Sequence, residues 1–181
     1  MDKYQIREYL LNLIRITPQS VKLILENNYE HLSHHELYFE LKEYIDNFIE
    51  KPNQNKFFVV SGLRGVGKST IMYQLYDYLL NTKKISSKRI LLLDLEYLKY
   101  EENLNIIEYI NVFIKDINED YYLSNNPLFV FVDESQYDQK WDWAGKIVYD
   151  EHVNVFIIFT GSNALNLSYS ADAARRLKRK K

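Results

Sequence analysis

The sequence contains no cysteine among its 181 residues. Disulfide frameworks, thiolate zinc sites, iron–sulfur clusters and cysteine nucleophiles are therefore excluded. It also has no apolar run near the roughly 20 residues that a membrane-spanning helix needs, and its first residues carry mixed charge rather than an export signal. We therefore expect a soluble, unexported protein of the cytoplasm without membrane contact.

Basic residues are scarce outside the C-terminal end. Residues 175–181 hold six of the 23 Lys and Arg side chains, so the rest of the chain has 17 basic against 25 acidic residues, a balance of −8. Such an acidic body disfavours nucleic-acid binding, which needs basic side chains along the phosphate track. The basic end either contacts nucleic acid or an acidic partner, or is a solvated terminus.

The first fifty residues show helical periodicity. Apolar residues recur every three to four positions from Ile6 onward, and Thr17 before Pro18 predicts that a second, short helix starts there. Ser33 opens a capping-box pattern, which predicts a third helix over about 33–50. The polar, proline-broken stretch that follows indicates a boundary, so we expect a helical N-terminal extension over 1–55 and a second domain over 56–181.

From residue 56 the pattern changes to alternating strands and helices. Continuous apolar runs predict four strands, at 57–60, 90–93, 128–132 and 153–159. Such runs, without strict alternation, are typical of strands covered on both faces, as in a parallel sheet between helices. The predicted fold class is therefore α/β: a parallel sheet flanked by helices, with the helical extension in front.

A glycine-rich segment between the first strand and its helix matches G-x-x-x-x-G-K-[ST] at every fixed position. In that pattern the backbone N–H groups cradle phosphate, the lysine bridges the β- and γ-phosphates, and the hydroxyl after it ligates Mg²⁺. The alternative is an ordinary glycine-rich turn between a strand and a helix. The predicted nucleotide-binding residues are Gly62, Leu63, Arg64, Gly65, Val66, Gly67, Lys68, Ser69 and Thr70, and Ser69 is also a predicted metal ligand.

The third predicted strand ends in Asp133 and Glu134, at the edge of the sheet where ligands bind in open α/β folds. This is a Walker B pattern. Asp133 would hold Mg²⁺ through water, and Glu134 would polarise the water that attacks the γ-phosphate. The alternative is an apolar strand that simply leads into a capped helix.

Polar residues also follow the fourth predicted strand, where the chain reads Thr160, Gly161, Ser162 and Asn163. One of them would hydrogen-bond the γ-phosphate or the attacking water, or Ser162 or Asn163 would cap the next helix. Further on, Arg175 and Arg176 are candidates for an arginine finger, with a solvated tail as the alternative.

These motifs together resemble the archaeal and bacterial AAA+ ATPases, whose members carry G-x-R-x-V-G-K-[ST]-T, D-E-[IVS]-Q and T-G-S-[SN]. The resemblance covers roughly residues 56–176. It implies hydrolysis of Mg²⁺-ATP in a sheet where another strand lies between the two Walker strands. It gives ATP-site roles to Lys68, Ser69, Thr70, Asp133 and Glu134, a sensor role to Ser162 and a finger role to Arg176.

The resemblance also implies that the family continues past this chain into a last core strand, a lid and C-terminal domains. We therefore expect an N-terminal portion of a longer protein, with weak turnover by itself. Without that last strand, the run at 57–60 would become an apolar sheet edge, which invites pairing with another chain. We expect the chain to self-associate or to cover this edge with its own N-terminal helices.

Three functions remain open at this point. The first is an ATPase module that drives a larger AAA+ protein; the second is a nucleotide-binding switch or fragment that does not hydrolyse ATP. The third, a P-loop kinase for a small molecule, fits less well because the glutamate after the Walker B aspartate suits activation of water. The sequence names no client or biological process.

Overall fold

The computed structural model describes residues 1–27, 36–52, 55–102, 104–124 and 126–161. Five α-helices occur in these ranges, namely α1 (Lys3–Asn27), α2 (Glu36–Glu50), α3 (Lys68–Asp77), α4 (Ile106–Val112) and α5 (Trp141–Glu151). The four strands are β1 (Phe57–Ser61), β2 (Ile90–Asp94), β3 (Leu128–Asp133) and β4 (Val155–Gly161). Helices α3 and α4 each continue into a π-helical turn, Tyr78–Thr82 and Phe113–Ile117.

The four strands form one parallel sheet in the order β1-β4-β3-β2. All residues of β3 and β4 are buried, as the continuous apolar runs predict. Strand β4 lies between β1, which precedes the glycine-rich segment, and β3, which ends in Asp133. The predicted α/β class and the inserted strand are both confirmed.

Helices cover both faces of this sheet. On one face, Leu91, Val130 and Ile157 pack in a cluster with α4, α5 and the first half of α1. On the other face, Phe129 and Phe156 pack in a cluster with α2, α3 and Val21 of α1. Helix α1 contacts both α3 and α4, so it joins the two layers.

The prediction that a second helix starts at Pro18 is wrong, because α1 is continuous and contains this proline. A proline inside a helix costs about 3 kcal/mol, since it lacks the N–H and crowds the preceding turn. Each aliphatic side chain that is fully buried returns roughly 1.5–3 kcal/mol, so packing on both sides of the proline outweighs that cost. The buried residues of this face are Ile6, Leu10, Ile14, Thr17 and Val21.

The other N-terminal prediction is partly outside the described residues. The capping position Ser33 lies in the range 28–35, which the structure does not describe, and the helix after it runs over Glu36–Glu50. Among the described residues, no helix combines the length and the apolar character needed to cross a bilayer.

Candidate functional site

The glycine-rich loop connects β1 to α3 at the carboxyl end of the sheet. Two of its glycines have positive φ, 84° at Gly65 and 91° at Gly67, a region that other residues rarely adopt. Gly67 precedes the first turn of α3, and its carbonyl accepts the Ile71 N–H at 3.0 Å. Gly65 and Gly67 are therefore favoured by the backbone path that places the loop against the N-terminus of α3.

Lys68 is 6% exposed and lies at the start of α3. Its ammonium donates to the carbonyl oxygens of Gly62 at 3.0 Å and Leu63 at 2.9 Å. The side chain thus folds back over the loop and holds its positive charge inside it. In this position the ammonium is suited to an anion that the loop surrounds.

Asp133 and Glu134 end β3 beside the loop. Asp133 is 4% exposed, and the hydroxyl of Thr160 on β4 donates to its Oδ1. Glu134 has a left-handed backbone with φ 53°, and its N–H donates to the same Oδ1 at 3.0 Å. The Gln136 amide donates to Glu134 Oε2. Both carboxylates are therefore held by local hydrogen bonds at the strand end.

The loop and the two acidic residues border one cavity of about 330 Å³, here called the phosphate-loop pocket. It brings together six predicted residues of the glycine-rich segment and both predicted acidic residues, from two strands that β4 separates. Of the remaining loop residues, Leu63 and Val66 are exposed. The pocket is lined by Arg64, Gly65, Gly67, Lys68, Ser69, Thr70, Asp94, Glu96, Asp133 and Glu134.

Asp94 and Glu96 in this pocket were not predicted. Asp94 ends β2 directly beside Asp133 in the sheet register, and its Oδ1 accepts the Glu96 N–H at 2.8 Å. Burial raises the pKa of Asp94 to about 6, and the nearby carboxylates of Asp133, Glu96 and Glu134 add to this effect. The signal that could have found Asp94 is the one that found Asp133: an apolar run that ends in a carboxylate.

The oxygen donors in the pocket fit a magnesium ion. Mg²⁺ prefers carboxylate, hydroxyl and water oxygens. The Ser69 hydroxyl and the Asp133 carboxylate lie in the same cavity, and the Asp133 side chain is almost fully buried.

The predicted site residues within 162–181, including Ser162 and Arg176, lie outside the described part of the chain.

A family model described as an AAA domain matches residues 54–180. An uncharacterized protein of Methanocaldococcus jannaschii is 34% identical over 172 residues, which is 95% of this chain and 34% of that protein. One of Haemophilus influenzae is 32% identical over 129 residues, 70% of this chain and 30% of that protein. The chain thus spans about a third of the length of these curated relatives.

Two solved structures are similar to this chain at low identity. A Walker-type ATPase of Pyrococcus abyssi is 20% identical with a TM-score of 0.43, covering 77% of this chain and 48% of that one. PCH-2 of C. elegans is 17% identical with a TM-score of 0.44, covering 94% of this chain and 40% of that one. Because the AAA-domain model matches well over half of the sequence, and the chain carries the phosphate-loop motif, it belongs to the AAA-domain family of P-loop NTPases.

Proposed function

We propose that this chain binds Mg²⁺-ATP in the phosphate-loop pocket and hydrolyses it to ADP and phosphate. The observation that carries the proposal is the meeting of the glycine-rich loop, Lys68, Asp133 and Glu134 at one cavity. A cation on the loop and carboxylates on a neighbouring strand are the two parts that phosphoryl transfer to water needs. The loop with Lys68 and the carboxylates at the end of β3 are far apart in the sequence, and they meet because β1 and β3 flank β4 in the parallel sheet.

Each residue has a role that follows from its chemistry and its place. The N–H groups of the loop Gly62–Thr70 and the Lys68 ammonium would hold the phosphates. The Ser69 hydroxyl and the Asp133 carboxylate would hold Mg²⁺, which supplies charge neutralisation at the phosphate oxygens. Glu134, held by Gln136 at the pocket wall, would orient and deprotonate the attacking water.

Several wider assignments belong to the same proposal. The chain would be the ATPase module of a longer protein, with a helical extension over 1–55 and an ATPase core over 56–181. Ser162 would act as a sensor of the γ-phosphate and Arg176 as an arginine finger toward a neighbouring copy. The protein would work in the cytoplasm and would self-associate or bind its own C-terminal domains.

Phosphate release from ATP by the purified chain tests this function. We expect release that needs Mg²⁺, stops in EDTA, and is lost in Lys68→Ala together with binding of a fluorescent ATP analogue. Lys88→Ala, an exposed lysine away from the pocket, is the matched control and should behave as the wild type.

Other outcomes separate the alternative functions. Tight ATP binding without phosphate release would favour a nucleotide switch. Turnover only with an added small-molecule acceptor would favour a kinase. An unchanged ATP affinity in Lys68→Ala would contradict the site itself.

A further inference from the structure

Thr160 is a buried polar residue that the proposed ATP chemistry leaves without a role. It is 1% exposed and lies on β4, the strand between β1 and β3. It pairs in register with Val60, two residues before the phosphate loop begins at Gly62. Thr160 therefore stands between the loop and the acidic end of β3.

The Thr160 hydroxyl makes two contacts with that end of β3. It donates its hydrogen to Asp133 Oδ1 and accepts the Glu134 N–H at 3.4 Å. The same N–H also reaches Asp133 Oδ1 at 3.0 Å, so one hydroxyl, one carboxylate oxygen and one amide form a closed triangle. This triangle fixes both the Asp133 carboxylate and the left-handed turn at Glu134.

We propose that Thr160 is a positioning residue for magnesium: it holds Asp133 Oδ1, so that the second oxygen of this carboxylate is presented to the cation of Mg²⁺-ATP. The inference rests on the proposed function of the pocket. A buried carboxylate that was free to rotate would lose orientation, because both of its oxygens would compete for the same donors. The hydroxyl removes this freedom through a bond to a charged acceptor, the stronger class of hydrogen bond.

The residue type is informative here. Valine has nearly the shape of threonine and the same preference for strands, so it would fill this buried position without the hydroxyl. Serine keeps the hydroxyl and loses only a methyl group. The pair of substitutions therefore separates the hydrogen bond from the packing.

The test measures how much Mg²⁺ strengthens nucleotide binding. A fluorescent ATP analogue is titrated into the wild-type chain, Thr160→Val and Thr160→Ser, once with saturating MgCl₂ and once with EDTA. We expect equal affinities in EDTA, where the loop and Lys68 bind alone. The magnesium gain is the ratio of the dissociation constant in EDTA to that in MgCl₂. We expect this ratio to be well above one in the wild type and in Thr160→Ser, and to be about tenfold smaller in Thr160→Val.

Thr17→Val is the matched control. Thr17 is also buried and its hydroxyl also makes a hydrogen bond, to the Leu13 carbonyl at 2.7 Å in α1, and it does not line the pocket. Its magnesium gain should equal that of the wild type. A merely structural loss at position 160 would instead lower the affinities in EDTA and in MgCl₂ alike. If Thr160→Val does not fold, Thr160→Ala is compared with Thr160→Ser in the same two conditions.

The outcomes distinguish the two proposals. An undiminished magnesium gain in Thr160→Val overturns the role of Thr160 and leaves the proposed function intact. A wild-type chain that binds no ATP analogue overturns the proposed function and this inference with it. A wild-type chain that binds the analogue equally with and without Mg²⁺ overturns this inference, and the phosphate-release assay then decides the proposed function separately.

Discussion

At the scale of single residues, the sequence predicts the members of the site better than their contacts. The glycines at positive φ and the lysine after them follow from the motif, because glycine adopts that backbone most readily and lysine supplies a positive charge for phosphate. The contact between Thr160 and Asp133 does not follow, since it depends on the strand order. Asp94 ends an apolar run as Asp133 does, but its position beside Asp133 comes from a strand pairing that joins residues 39 positions apart in the chain.

Substitution of the proposed base gives the most direct test at this scale. Glu134→Gln keeps the length of the side chain and an oxygen that accepts from Gln136, but it cannot take a proton from water. We expect nucleotide affinity within about twofold of the wild type, and phosphate release slower by roughly 10²-fold or more. Glu151→Gln, at the exposed end of α5, serves as the control, and unchanged release in Glu134→Gln would leave Glu134 as a strand-end carboxylate.

Lys56 gives a pH-dependent prediction far from the pocket. It is 1% exposed, and its ammonium donates to the His152 carbonyl at 2.8 Å. Burial lowers the pKa of Lys56 from 10.5 to about 8, although the charge of Asp150 acts in the other direction. Between these two values the unfolded chain binds the proton and the folded chain does not, so the free energy of unfolding rises with pH.

Comparison with Lys56→Met isolates this effect. The difference in unfolding free energy, wild type minus variant, should increase by about 1.4 kcal/mol per pH unit from about pH 8 to 10. The variant retains the other titrating groups, which cancel in the difference. Urea denaturation at a series of pH values measures it, and a difference that stays constant over this range would show that the amine is solvated.

At the scale of helices and strands, the apolar runs locate every strand of the described sheet and misplace some ends. Strand β4 begins at Val155 rather than 153, where the valine is half exposed, and it extends through Thr160 and Gly161. Polar residues at a strand end look like a loop in the sequence, although here they pair with β1. The π-helical turns after α3 and α4 are each only five residues long, too short for the periodicity of apolar residues to reveal them.

Gly145 in α5 tests how closely this helix packs on the sheet. A Cβ atom added there would lie 2.4 Å from Phe57 Cε2 and 2.9 Å from Phe159 Cε2, closer than real contacts allow. In an exposed helix, Gly→Ala adds about 1 kcal/mol of stability, whereas a clash in a packed core removes about 1–3 kcal/mol. We expect the clash to dominate, so Gly145→Ala should lower the urea midpoint, and a raised midpoint would show that the two rings move aside.

At the scale of the whole molecule, the layer order follows from the sequence, whereas the role of the N-terminal helices does not. Their spacing predicts a helical extension over 1–55, and in the structure Ile6, Leu10 and Ile14 of this extension lie in the same buried cluster as the sheet residues. Amphipathic spacing shows that a helix buries one face and does not identify what covers that face. The packing implies that α1 stabilises the helical layers on both faces of the sheet.

The free side of β1 leads to a prediction about assembly. In the described chain β1 pairs with β4 alone, and its residues 57–60 are only partly buried. Helix α2 covers one face of this strand, where the centroids of the Tyr44 and Phe58 rings lie 4.7 Å apart. A helix that packs on the face of a strand does not bond to the N–H and C=O groups along its edge. We therefore expect the chain to self-associate through β1.

Light scattering over a range of protein concentrations, combined with amide hydrogen exchange, tests this assembly. The mean mass should rise with concentration, and the amides of 57–61 should become more protected in parallel. Ser61→Lys places a charge at the exposed end of this edge strand and should weaken both effects, because charged side chains oppose edge pairing. Lys146→Arg, on the exposed face of α5, keeps the charge and should change neither. A monomer at every concentration, with amides of 57–61 that exchange freely, would contradict pairing through this edge.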